Sequence, residues 1–345
     1  MHIDLSKSRI VELDVNFVGN KSTLEPLILS RRPIVVNEDT SGSLNKLFIG
    51  NIKSLDTYCF YHDSGIRFNV VYELVYSLFQ GMLSFKDVSH KISSYLYDQC
   101  THPNIKSGEF YLVRFEGCFI DGLERSAIGL FKTENRDTYI DIDYKDGLFT
   151  IDSKIGIDIN KLDKGCLIFN QCAGDGYIVK VVDNTNKSEA QYWIDDFLHL
   201  KQRSDEYHMT SKIMQVTKNF ITKEMPKQYC ISKADQTELI NKTIQYFKQK
   251  EEFDIEEFAD EVIEDASIIE SFNNYSAHCL EEEGIDRLDA FYISDAAVKK
   301  QSRSFKSVIK LDKNFHIYVH GDRRMIEQGE DEKGRYYKVY FKEEF

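Results

Sequence analysis

The chain has 345 residues, a net charge of −13 and 42% apolar side chains, enough for real hydrophobic cores and about two domains. Its 20 Tyr and 23 Phe exclude a disordered polar chain, and its four Pro exclude a proline-rich rod. No apolar run approaches the roughly 18 residues of a membrane span. The charged start, Met-His-Ile-Asp-Leu-Ser-Lys, lacks the apolar core of a signal peptide, so we expect a cytoplasmic protein.

Seven cysteines are scattered along the sequence without a Cys-x-x-Cys pair. An odd number at irregular spacing argues against a disulfide framework and against a structural zinc site. We therefore expect reduced, buried thiols.

The negative charge is concentrated in one stretch. Residues 231–292 carry 5 Lys and Arg against 17 Asp and Glu, whereas residues 293–345 carry 12 against 9. Such asymmetry predicts a surface for a polyanion or a protein partner, unless the two blocks neutralise each other within the fold.

The N-terminal elements are predicted from hydrophobic periodicity. Apolar and polar residues alternate within 9–19, which predicts a half-buried strand, whereas 55–62 fits either a strand or a helix. Apolar residues spaced three and four apart over 69–82 predict a helix with Asn69 as N-cap and Gly81 as its stop.

A second helix is expected to begin at Ser84 or Asp87 and to run through Leu96. From Gly108 onward the period changes to two, and strand-like segments recur about every ten residues. These segments cover 110–117, 126–132, 139–142, 148–152, 167–170 and 176–183. The spacing predicts an antiparallel meander, sheet or barrel.

A helical pattern over 190–200 places four large side chains on one face, where we expect them to pack in the core. They are Tyr192, the only tryptophan Trp193, Phe197 and Leu200.

The acidic region is expected to be helical. Ser232-Lys-Ala-Asp resembles a capping box with Asp in place of Glu, which predicts a helix to about Lys250. Asp254 and Ser267 begin two further predicted helices, and two β-hairpins follow from Ser304. The predicted fold class is α+β. An N-terminal domain, 1–229, combines an antiparallel sheet with helices, and a C-terminal domain, 230–345, combines acidic helices with β-hairpins.

The sequence contains no phosphate-binding loop, dinucleotide fingerprint, nucleophile elbow or His-Glu-x-x-His motif. The run Asp141–Gly147 resembles a calcium loop, but its glycine is one position late and Lys145 occupies a ligand position. A hairpin turn explains it better. No nucleophile is paired with a recognisable base, so we expect no enzyme and no cofactor.

A metal-dependent nuclease remains as a remote alternative. His316 and His320 lie on one face of a predicted strand, with Tyr318 between them, near Asp312 and Asp322. A metal site needs three or four ligands, which this pattern does not establish, so no metal ligands are assigned. A packed or partner-contacting histidine face explains the same residues.

The strongest chemical signal is a basic segment with interleaved aromatic residues. Lysine and arginine neutralise phosphates, and exposed aromatic rings stack on bases. Phe305, Phe315 and Tyr318 are the aromatic residues, although we expect Phe305 and Phe315 to lie in a hydrophobic core and not on a base-stacking surface. The predicted DNA-binding residues are Lys299, Lys300, Arg303, Lys306, Lys310, Lys313, Arg323 and Arg324.

Several long segments resemble the 37-kilodalton nucleoid-associated protein family (NdpA-like). The segments are Lys161-Leu-Asp-Lys-Gly-Cys-Leu-Ile-Phe-Asn, Tyr192-Trp-Ile-Asp-Asp-Phe-Leu and Val308-Ile-Lys-Leu-Asp-Lys-Asn-Phe-His-Ile-Tyr-Val-His-Gly. Shorter matches at 102–109 and 297–300 keep the same order, so the resemblance runs from about residue 60 to the C-terminus.

The resemblance implies a bacterial cytoplasmic protein of the nucleoid that binds DNA and is linked to topoisomerase function, without known catalytic residues. A net charge of −13 departs from the basic character usual for nucleoid proteins. Contact with DNA should therefore be local, through 299–324, with Lys132, Lys161 and Lys164 as further candidates.

Two functional hypotheses follow. The first is a non-enzymatic protein that binds the DNA phosphate backbone with little sequence specificity. The second is an interaction module whose acidic helices engage a basic partner, such as a topoisomerase or another copy of the chain in a homodimer. Its predicted contact residues are Glu256, Glu257, Asp260 and Glu264.

Overall fold

The computed structural model describes residues 1–32, 34–184, 192–282, 285, 290–305, 308–311, 315–319 and 325–343. The chain divides into two compact units, which we call unit 1 (Met1–Arg203) and unit 2 (Ser204–Phe345). Helices and antiparallel strands occur in both, which confirms the predicted α+β class. The division lies earlier than the predicted boundary at 229/230, because the segment just before that boundary adds Ile213 and Met214 to the core of unit 2.

Unit 1 is built on an antiparallel sheet with nine strands among the described residues. The strands are β1 (Ile3–Asp4), β2 (Arg9–Val18), β3 (Leu27–Ile28), β4 (Tyr58–Phe60), β5 (Gly108–Ile120), β6 (Leu123–Thr133), β9 (Lys164–Phe169), β10 (Ile178–Asp183) and β11 (Leu200–Gln202). Between β6 and β9 the chain leaves the sheet as a separate hairpin, β7 (Asp137–Lys145) and β8 (Leu148–Gly156).

The sheet is open and is not a simple meander. Its order is β11-β4-β10-β9-β6-β5-β2-β3, with β1 paired to β5. Strand β2 pairs with the distant β5, and β4 lies between β11 and β10. Of the predicted alternatives, the open sheet is therefore correct, and the undecided segment 55–62 contains a strand.

Helices cover both faces of this sheet. They are α1 (Glu38–Phe48), α2 (Val70–Phe79) and α3 (Phe85–Gln99). The N-caps Asn69 and Ser84 accept backbone hydrogen bonds from Tyr72 and Asp87, as predicted for these two helix starts. Leu112 of β5 belongs to the core beneath α2 and α3, whereas its neighbour Val113 belongs to the core beneath α1. Strand β5 is therefore buried on both faces.

The segment after β10 confirms the predicted role of the only tryptophan. Tyr192–Leu198 forms a π-helical turn that buries Trp193 and Phe197, whose ring centres are 4.9 Å apart. Leu200 continues into β11 and is buried as well.

Unit 2 has a helical core. Its helices are α4 (Glu206–Asn219), α5 (Met225–Gln228), α6 (Lys233–Gln249), α7 (Ile255–Phe258), α8 (Ala266–Glu281) and α9 (Asp295–Ser302). Helix α6 begins with the predicted capping box between Ser232 and Asp235. Two π-helical turns, Phe220–Glu224 and Ala259–Ile263, extend α4 and α7.

Short strands complete unit 2. They are β12 (Glu252–Phe253), β13 (Phe291–Tyr292), β14 (Val308–Leu311), β15 (Phe315–Tyr318), β16 (Ile326–Asp331) and β17 (Gly334–Val339). The last four form the two predicted hairpins, β14–β15 and β16–β17. A small separate core joins Ala234 at the start of α6 to Ile309, Val319 and Ile326.

Within the described ranges no helix has the length and apolar character needed to span a membrane. All seven cysteines are described as unbridged thiols. Four of them are buried, but Cys230 is exposed, so the prediction of buried thiols is wrong at that position.

Candidate nucleic-acid interface

Three of the predicted basic residues lie at the end of helix α9. Ser294 caps its N-terminus, Ala297 and Val298 are buried, and the last turn carries Lys299 and Lys300. Both lysines and the following Arg303 are exposed. Cations at a helix C-terminus interact favourably with the helix dipole. Stabilisation of the helix therefore explains part of this clustering, even if no ligand binds there. The Nζ atom of Lys300 also lies 5.4 Å from the centre of the Tyr207 ring.

Lys310 lies on the solvent-facing side of the β14–β15 hairpin. It stands directly opposite His316, and the neighbouring pair on that face is Val308 with Tyr318. Lys310, His316 and Tyr318 are exposed, Tyr318 to 62%. The alternate residue Ile309 is buried in the small core at the start of α6. The hairpin thus presents one cation and one aromatic ring on the same open face.

Helix α6 supports both basic segments, because α9 and β14 each pack against it. Phe305, which lies between the two segments, is buried in the helical core and is 4% exposed. The core alternative is therefore correct for Phe305. Phe305 and Ile309 are thus buried anchors next to Arg303 and Lys310 respectively.

The core alternative is wrong for Phe315, which is 66% exposed. Phe315 pairs with Leu311 at the end of the hairpin where its two strands are connected. It does not join the small core that buries Ile309. Phe315 and Tyr318 are therefore both exposed aromatic rings on β15, on opposite faces.

Half of the predicted DNA-binding set lies outside the described residues. These residues are Lys306, Lys313, Arg323 and Arg324. The same is true of three members of the alternative metal set, namely Asp312, His320 and Asp322. Across the part of the chain that is described, no group of three or more His, Cys, Asp or Glu side chains is arranged to hold a metal ion.

Lys132 and Lys164 cannot contact DNA, which corrects that prediction. Their side chains are 0% and 1% exposed. Lys132 Nζ lies 2.9 Å from Glu134 Oε1, and Lys164 Nζ lies 3.3 Å from Asp183 Oδ1. These lysines pair with buried carboxylates, as buried charges must. Lys161 is exposed.

The acidic surface on α7 and the turn after it is partly neutralised by two lysines, one on helix α6 and one directly after it. Lys250 Nζ donates to Glu257 at 2.7 Å and to Glu261 at 2.6 Å, and Lys242 Nζ donates to Glu264 at 2.5 Å. The hydrogen bond from Lys250 is the main reason why the pKa of Glu257 is lowered. These pairs lie within the acidic stretch itself, and they do not involve the basic segment.

The four predicted partner residues therefore separate into two kinds. Glu257 and Glu264 have lysine partners on α6 or directly after it, which the sequence did not reveal because each pair joins two separate elements. Glu256 and Asp260 are exposed and form no ion pair within the described ranges.

Comparison with known proteins identifies the family. The family model for nucleoid-associated protein YejK matches residues 21–333, which include most of unit 1 and unit 2. No curated protein matches the chain. The matched range begins earlier than the resemblance visible in the sequence and confirms it. The chain belongs to the nucleoid-associated protein YejK family, and this membership supports a nucleoid-associated role.

Proposed function

We propose that the chain is a non-enzymatic DNA-associated protein whose basic surface contacts the phosphate backbone. The basic surface consists of Lys299, Lys300, Arg303 and Lys310. The observation that carries the proposal is the exposed face of β14–β15, where Lys310 and Tyr318 stand on the same side of the hairpin. Nucleic-acid-binding surfaces combine cations, which neutralise phosphates, with aromatic rings, which stack on bases.

The overall charge of −13 makes the contact local. Long-range repulsion between the protein and DNA is screened beyond about 8 to 10 Å at ordinary ionic strength, whereas contacts at the surface are retained. An exposed lysine stays hydrated until it contacts a phosphate. That contact releases counterions from the DNA, and their release favours binding. Four such contacts suit weak, sequence-independent association, because none of them reads a base edge.

The proposal is tested by comparing two variants that remove the same number of positive charges. The first changes Lys299, Lys300, Arg303 and Lys310 to Gln. The matched control changes the exposed lysines Lys53, Lys91, Lys223 and Lys248 to Gln. Binding to a labelled duplex at low salt is expected to weaken at least tenfold in the first variant and to change little in the control.

Equal loss in both variants would mean that total charge, and not this surface, governs binding. Unchanged binding in both would contradict the proposal for these four residues. A separate variant at Lys306, Lys313, Arg323 and Arg324 extends the test to the remaining predicted residues.

A second candidate function is the binding of a basic protein partner, such as a topoisomerase or the basic segment of another copy. It is favoured by Glu256 and Asp260, which are exposed and lack ion pairs among the described residues. Changing both to Lys should remove a basic partner that co-purifies with the parent protein. The matched control changes Glu270 and Glu281, which are exposed on α8, to Lys. Retention of the partner by both variants would count against this function.

A further inference from the structure

The β7–β8 hairpin of unit 1 has an uncovered apolar face. Directly opposed residues of an antiparallel pair project to the same side, so the register assigns every side chain to a face. One face contains the pairs Ile142–Ile151 and Tyr144–Phe149, together with Ile140 and Ile155. All six large side chains are between 62% and 74% exposed. The central strands β9 and β10 of the main sheet, in contrast, bury their large apolar side chains almost completely.

The opposite face of this hairpin is acidic. It carries Asp137, Asp141, Asp143 and Asp152, with Lys145 and Lys154 as the cations and Tyr139 and Leu148 as the two large apolar side chains. Lys154 pairs with Asp141 on this face. Including Asp146 in the turn, residues 137–156 hold five Asp and two Lys. This negative charge disfavours contact with DNA phosphates or with an anionic membrane.

Hydrogen bonds and core contacts attach both ends of the hairpin to unit 1. Asp163 accepts hydrogen bonds from the backbone N–H groups of Glu134 at 2.7 Å and of Asn135 at 3.1 Å, and the Asn135 side chain donates to it at 2.5 Å. On the far side of the hairpin, Ile157, Ile159 and Leu162 join the core beneath α1. Both ends of the hairpin are therefore held in fixed positions, because the strands that precede and follow it, β6 and β9, pair with each other.

An isolated two-stranded hairpin is marginally stable in water, and soluble proteins rarely leave several hundred Å² of contiguous apolar surface uncovered. The six side chains expose on the order of 700 Å² in each copy, close to the roughly 800 Å² per partner that a stable interface buries. We infer that this apolar face is the dimerisation surface of the protein, stacked face to face on the same face of a second copy about a two-fold axis.

A second copy suits this face for a specific reason. The face carries no charged side chain, and its polar members are only Thr138 and Ser153. Stacking it on itself brings no like charges together, while both acidic faces remain in water. Two such hairpins form a small sandwich of sheets about 10 Å apart, the arrangement that apolar sheet faces adopt in protein cores. An isologous contact of this kind closes with two copies and does not propagate.

Sedimentation velocity of the full chain, freed of nucleic acid at high salt, tests this inference independently of DNA binding. The parent protein is expected to be a dimer at micromolar concentration and to dissociate on dilution. Ile142→Lys with Ile151→Lys should give a folded monomer, because both side chains already face solvent in a single copy. Thr150→Lys, on the opposite face, should leave the dimer intact.

Circular dichroism and thermal unfolding establish that each variant folds, and Ile140→Lys serves as a second variant of the apolar face. A parent protein that stays monomeric at high micromolar concentration would overturn the inference, and the hairpin would then be open to a different partner. Open-ended association of the parent, or a dimer that survives Ile142→Lys with Ile151→Lys, would overturn it as well. Equal loss of the dimer with Thr150→Lys would exclude the face-to-face arrangement.

Discussion

The ammonium group of Lys132 lies 2.9 Å from a carboxylate oxygen of Glu134, and both side chains are buried within unit 1. Lys132 also donates to the carbonyl oxygen of Lys106 at 2.5 Å, and the hydroxyl of Tyr192 donates to Glu134 at 3.0 Å. Burial, followed by the negative charge of Glu134, raises the pKa of Tyr192 well above its ordinary value. The Lys132 ammonium and the Glu134 carboxylate are each hydrogen-bonded within this network, so we expect the network to stabilise unit 1.

Removing one charge of this pair is expected to be costly. Glu134→Gln leaves the Lys132 ammonium buried without a counter-charge, which should lower the free energy of unfolding by about 3 to 5 kcal/mol. Adding Lys132→Met should recover part of the loss, because no unpaired charge then remains. Urea unfolding provides the measurement. Glu116→Gln, at an exposed pair with Arg9, is the control and should cost less than about 1 kcal/mol.

The stability of unit 1 should depend on pH through Asp14. Burial alone would raise the pKa of Asp14, but hydrogen bonds from Ser30 and Ser89 and the contact with Lys86 outweigh it and lower the pKa below 3.8. The folded state therefore favours the carboxylate. Its stabilising contribution is present above pH 3.8 and is lost as the pH falls through the lower pKa of the folded state.

The variant Asp14→Asn lacks this contribution. Its free energy of unfolding should be lower than that of the parent near neutral pH, and the difference should shrink below pH about 4. Asp98→Asn, at an exposed pair with Lys21, serves as the control and should show a small difference throughout. A difference for Asp14→Asn that grows on acidification would contradict the assignment.

The capping box of α6 should make a measurable contribution to unit 2. The Ser232 side chain accepts a hydrogen bond from the backbone of Asp235, and the Asp235 side chain accepts one from the backbone of Ser232. Ser232→Ala is expected to cost about 1 kcal/mol of unfolding free energy. Ser43→Ala, at an exposed position in the interior of α1, is the comparison. Equal effects of the two substitutions would argue against a specific capping role.

Tyr318 should distinguish single-stranded from duplex DNA. An exposed ring stacks on unpaired bases, a contribution of about 1 to 3 kcal/mol per base, whereas bases in a duplex are already stacked. Tyr318→Ala should therefore weaken single-strand binding by about fivefold or more and affect duplex binding much less. Tyr318→Phe keeps the ring and should bind like the parent. Fluorescence anisotropy with matched oligonucleotides measures both affinities.

Local signals in the sequence were sufficient to predict much of the secondary structure. Asn69, Ser84 and Ser232 sit immediately before apolar periodic segments, and each one caps a helix in the structure. Capping depends on neighbouring backbone groups, so it can be recognised from a few residues. The sequence likewise predicted the hairpin that carries Lys310, and the structure places Lys310 on its exposed face.

Long-range relationships could not be predicted in the same way. The pairing of β2 with β5, and the insertion of β4 beside β10, depend on packing between distant segments. Lys132 is buried where it contacts Glu134 and Tyr192. Nothing in the sequence around Lys132 distinguishes it from an exposed lysine. The alternation within 139–142 predicted a strand, but not that its apolar face would be left uncovered.

The most direct test of DNA association through the basic surface is the salt dependence of duplex binding. The slope of log K against log salt changes by about 0.9 for every phosphate that a protein cation neutralises. The parent protein should bind more weakly as salt increases. The Gln variant at Lys299, Lys300, Arg303 and Lys310 should have a slope that is shallower by up to about 3.6. Identical slopes for the parent and this variant, or no binding by the parent at low salt, would contradict the account.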